Sequence, residues 1–91
     1  MSRMSGMTAS ATWDPASILD GDEVAVDVTV PGAALGDFAL ASLGVDVADL
    51  QLDANVTAAN TVTAVLSNST GGAVNLGSST LRIKVIPADV I

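Results

Sequence analysis

Three carboxylates crowd one short stretch, Asp20-Gly21-Asp22-Glu23. Oxygen ligands spaced around a glycine in this way can hold Ca²⁺, although the full EF-hand loop pattern is absent. A plain Asp-Gly-Asp reversal between two strands has the same residues and needs no ion. Asp46 and Asp49, beside Gly44, offer a thinner version of the same choice. Paired carboxylates can also hydrolyse glycosidic bonds. A sugar cleft usually adds aromatic platforms, and the chain has one Trp and one Phe.

The missing residue types limit chemistry further. There is no His and no Cys, so no side chain titrates near neutrality and no thiolate is available as nucleophile or metal ligand. Disulfide staples are also excluded, and with them any clue to redox compartment. The expectation is a protein that is not an enzyme and carries no metal and no cofactor.

Ten acids against three bases leave a net charge of −7. That excess sits in the first half of the chain and repels phosphate backbones, which argues against a nucleic-acid partner. No apolar run is long enough to span a bilayer, and no apolar stretch follows Arg3 as in a secretory signal. A soluble chain outside the usual export route is expected, with no membrane partner. Two Asn-X-Ser/Thr sequons, Asn55-Val56-Thr57 and Asn68-Ser69-Thr70, are expected to be idle in such a chain.

Contact chemistry is better represented. Arg82 and Lys84 alternate with Leu81, Ile83 and Val85, so the two cations share one strand face. A neighbouring strand that carried Asp53 or Asp27 would balance them; an acidic partner subunit would do so across an interface. Trp13 is either the core plug of a small sandwich or an anchor between subunits. Trp13, Phe38, Arg82 and Lys84 are therefore the candidate interface residues.

These side chains need a scaffold of strands. In Glu23 to Val30 every even position is Val while Glu23, Ala25, Asp27 and Thr29 fill the odd ones, the period-2 pattern of a half-buried strand. Leu50, Leu52, Ala54 and Val56 repeat it, and Thr61 to Asn68 answers as hairpin partner across Ala58-Ala59-Asn60, where Asn tolerates a positive φ. Phe38 to Leu43 is apolar on both sides, so it is expected centrally or against a partner. Ala11 to Trp13 and Ala73 to Leu76 are shorter pieces, and Pro87 closes the last strand. Residues 33–37 make a single turn at most. The pattern predicts an all-β fold, a small antiparallel β-sandwich or jelly-roll-like barrel of about six to eight short strands. Residues 1–10 read as a flexible N-terminal arm and 11–91 as one domain.

Several segments together resemble a family of short proteins encoded by tailed bacteriophages. The carrying residues are Thr12-Trp13-Asp14-Pro15, the stretch Val28-Thr29-Val30-Pro31-Gly32-Ala33-Ala34-Leu35-Gly36-Asp37-Phe38, Val56 to Thr63, Asn68 to Leu76, and Leu81-Arg82-Ile83. The likeness spans roughly residues 11–86, and the Val-Pro-Gly-Ala-Ala-Leu-Gly-Asp-Phe run is its most specific part. It implies a structural component of the virion, with no catalytic or ligand motif to carry over. The acidic Asp20-Gly21-Asp22-Glu23 turn departs from the more neutral turn expected of relatives.

Joined to the residue-level reading, the resemblance implies a capsid decoration (cement) protein made in the host cytoplasm and carried on the virion. Its partner would be the major capsid protein, with copies gathered as a homotrimer. The alternative is a tail-fibre, spike or host-adhesion module, whose loops would need the Trp, Tyr and Arg anchors that the turns around Asn60 and Thr70-Gly71-Gly72 lack.

Overall fold

The structure is a computed structural model that describes residues 6–90. Six strands form two three-stranded antiparallel sheets, and the fold is a small all-β sandwich. In chain order they are β1 (Met7–Trp13), β2 (Glu23–Thr29), β3 (Phe38–Leu43), β4 (Gln51–Ala58), β5 (Thr61–Ser67) and β6 (Ser79–Ile86), followed by a 3-10 turn at Ala88–Val90. One sheet has the order β1-β6-β3 and the other β2-β5-β4.

Sequence neighbours mostly lie in different sheets. Only β4 and β5 form a hairpin, closed by Ala59-Asn60, with a bulge between Val56 and Ala58. Asn60 has φ 62°, the left-handed conformation expected of it. The bridge between Ile18 and Val74 continues the β1–β6 register past Trp13 and Ser79. The β1–β2 segment therefore runs beside the β5–β6 segment through both sheets, and the pair folds over between them. Met7 at the start of β1 meets Gly32 just beyond β2, where an added Cβ would lie 2.8 Å from the Met7 sulfur.

The core follows from alternation. Val28, Val56, Val62, Ala64 and Leu66 point inward from one sheet, and Trp13, Leu81, Ile83 and Val85 from the other. Val30, Ala33, Ile18 and Leu50 close its ends. Each fully buried Val, Leu or Ile contributes about 1.5–3 kcal/mol by removal from water.

Three sequence expectations are corrected. Residues 7–10, expected in the N-terminal arm, belong to β1. Met7, Ala9 and Ala11 alternate with Thr8, Ser10 and Thr12, a period-2 pattern whose inward side is mostly Ala and so carries little hydrophobic contrast, and pairing with β6 makes it regular. The arm's residues 1–5 lie outside the described residues. Of the two readings of Phe38 to Leu43, the central one is overturned: it is an edge strand, with Ala39, Ala41 and Leu43 packed against the core. Ala73 to Leu76 makes a single bridge at Val74.

Candidate interaction faces

The two ends of the sandwich are tied by side chains. At one end Asn60 gathers the chain between β2 and β3. Its N–H donates to the Ala33 carbonyl, its carbonyl accepts from Val30, and its Oδ1 accepts from Gly32 N–H, each at 2.8 Å. Buried Asp37 accepts from Ala34 N–H with one oxygen and from Ala88 N–H with the other, both at 3.0 Å. The Val30-Pro31-Gly32-Ala33-Ala34-Leu35-Gly36-Asp37-Phe38 run is this crossover between the sheets. Gly32 sits at φ 92°, where a side chain is strained, and an added Cβ would also displace the Met7 thioether.

At the other end Asn68 is 2 % exposed. Its amide donates to the Ile18 carbonyl at 2.7 Å and to the Gly72 carbonyl at 2.8 Å. Its Oδ1 accepts from the backbone and the hydroxyl of Thr70. The second sequon is thus spent inside the fold, whereas Asn55 of the first stands exposed on β4. Nothing in the sequence beyond the Asn-X-Thr spacing distinguished Asn68 as a tie between distant loops.

The acidic turn is spread out. Asp20 Oδ1 accepts from Gly71 N–H at 3.1 Å and Asp22 Oδ1 from Glu23 N–H at 2.9 Å. Asp46 Oδ1 does the same for Ala48 N–H at 3.0 Å. Among the described residues no three of His, Cys, Asp and Glu gather as metal ligands.

The outward faces differ sharply. On the β1–β6–β3 sheet, Arg82 lies between Ser10 and Ser42, and Lys84 between Thr8 and Leu40. These six side chains line an open groove of about 620 Å³. Leu40 is 58 % exposed and Phe38, on the same face, 49 %. No carboxylate projects from the outward positions of these three strands. On the β2–β5–β4 sheet the outward positions carry Glu23, Asp27 and Asp53. Thr63 donates its hydroxyl to Asp27 Oδ1 at 2.6 Å and lies 2.8 Å from the Thr57 hydroxyl.

Asp27 and Asp53, expected as strand neighbours of Arg82 and Lys84, are therefore on the opposite side of the molecule. Alternation places a residue in or out; it says nothing about which strands pair. Of the four candidate interface residues, the fold brings Phe38, Arg82 and Lys84 onto one face. Trp13 is 9 % exposed and packs in the core. The exposed Leu40 joins that face, a role its alternation with Phe38 and Ser42 would have revealed had β3 been read as an edge.

No helix among the described residues is long and apolar enough to cross a membrane. No family model, curated protein or solved structure matches the chain.

Proposed function

We propose that this chain is a non-enzymatic structural component of a phage virion, a capsid decoration (cement) protein that docks on the major capsid protein of the head shell. The observation that carries this reading is the outward face of the β1–β6–β3 sheet. Two cations and two exposed apolar side chains are grouped there on an otherwise acidic molecule. Such a face recognises a partner by charge and apolar contact together. The acids support it from the other side: Asp20, Asp22, Asp37 and Asp46 spend oxygens on backbone N–H groups of turns, so they hold loops in place. The segments that resemble phage proteins add the virion setting.

The test is a comparison of particles with and without the protein. Particles lacking it are expected to release DNA at lower temperature or milder osmotic shock. Hundreds of copies per complete particle are expected, as a shell lattice requires. Equal resistance of the two particle types overturns the cementing role, and a count of a few to a few dozen moves the protein to the tail.

A further inference from the structure

The two outward faces of one molecule carry opposite charge. Arg82 and Lys84 stand two residues apart on the central strand β6, a step of about 6.8 Å. On the other sheet Asp27 lies level with Thr63 and Asp53 level with Val65. They are offset by two residues along the strands and stand on opposite flanking strands, about 12 Å apart, so the long Arg82 and Lys84 side chains must splay sideways to reach them. Ala25 is directly opposite Val65, giving that face a small apolar centre. Leu40, level with Lys84, supplies the matching apolar side chain on the first face.

We infer that the β1–β6–β3 outward face of one molecule docks on the β2–β5–β4 outward face of a second copy of this chain. Arg82 and Lys84 meet Asp27 and Asp53, while Leu40 packs over Val65 and Ala25. The hydroxyl of Thr63 already holds the Asp27 carboxylate in place, which lowers the ordering cost of the contact. The reverse pairings are disfavoured, because either face against its own kind sets like charges opposite one another. Each copy carries −7, but a screening length of about 8 Å at physiological ionic strength confines that repulsion to close approach.

The contact is heterologous, and its two faces look in opposite directions. Copies therefore add in a row and do not close a ring of three; a threefold cluster would use other surfaces. The contact uses the face that the virion reading gives to the capsid protein, so a copy docked on the shell offers that face to no second copy. The self-contact belongs to the free chain in solution and is tested there, apart from the particle experiment.

Sedimentation equilibrium of the full chain tests it. The average mass of the wild type is expected to rise with concentration past two copies and to fall as NaCl is added. The reversals Arg82→Glu/Lys84→Glu and Asp27→Lys/Asp53→Lys should each weaken association about tenfold or more. Mixing the two variants should restore it, although both remain net acidic. Should either reversal unfold by circular dichroism, Arg82→Gln/Lys84→Gln and Asp27→Asn/Asp53→Asn replace it, with a smaller loss expected. A monomer at every concentration overturns the inference. So does association that survives either reversal, or a mixture that associates no better than its parts.

Discussion

Turned inward, the two sheets are alike apart from Met7 and Trp13 on β1: each presents small and branched aliphatics from three strands, and its central strand is the most deeply buried. Turned outward, they share almost nothing. The β2–β5–β4 face is acidic and rich in hydroxyls, and its edge strands are guarded by Glu23 and Asp27 on one side and by Asp53 and a bulge on the other. Charges and bulges of this kind discourage edge pairing. The β1–β6–β3 sheet keeps its only charges on the central strand and leaves both edge strands, Met7–Trp13 and Phe38–Leu43, uncharged. A core constrains one side of a strand, and contact with other molecules shapes the other. The same architecture therefore carries one acidic, hydroxyl-rich outward face and one that groups two cations with exposed Phe38 and Leu40.

If the halves are equivalent inside, core truncations should weaken them alike. Leu66→Ala in β5 and Leu81→Ala in β6 should each cost about 2–5 kcal/mol, measured by urea unfolding. A loss confined to one of them would mean that the two sheets are not one cooperative core.

The ties at the two ends should differ in strength. Asn68→Ala removes all four hydrogen bonds of a buried side chain and should cost about 1–3 kcal/mol. The Ile18 carbonyl keeps its bond from Val74 N–H and the Gly72 carbonyl its bond from the Thr70 hydroxyl. Asn60→Gly keeps the positive φ and loses only the bond from Gly32, so about 1 kcal/mol is expected. Thermal melts of the two variants would rank them, and the reverse ranking would show that the Asn60 end carries the greater share.

Gly32→Ala lies between these. A side chain at φ 92° beside Met7 should cost about 1–2 kcal/mol. A stability equal to wild type would mean that the crossover relaxes freely.

The smallest effects belong to the outward faces. Arg82→Ser and Asp53→Ser should each change folding stability by no more than about 0.5 kcal/mol. A loss above 1 kcal/mol in chemical denaturation at low protein concentration would show that these side chains serve the monomer's own fold.

Much of the framework was legible beforehand. The Val24-to-Val30 alternation, the β4–β5 hairpin with Asn60 at its turn, and the outward placement of Arg82 and Lys84 all follow from period-2 geometry and turn chemistry. The start of β1 escaped, because an inward side made of Ala gives almost no hydrophobic contrast to reveal the alternation. The edge position of β3 escaped too, since apolar residues on both sides suit a central strand as well as a face that awaits a partner. Asn68 looked like any other polar turn residue.

Determined by the sequence alone were the class of fold, the inward and outward sides of most strands, and a residue set poor in catalytic groups. Those properties depend on neighbours a few residues apart, and local sterics impose them. Tertiary structure alone decided that the cations and the carboxylates stand back to back. Strand order arises from pairings between residues tens of positions apart, and no short-range pattern records which sheet a strand will join.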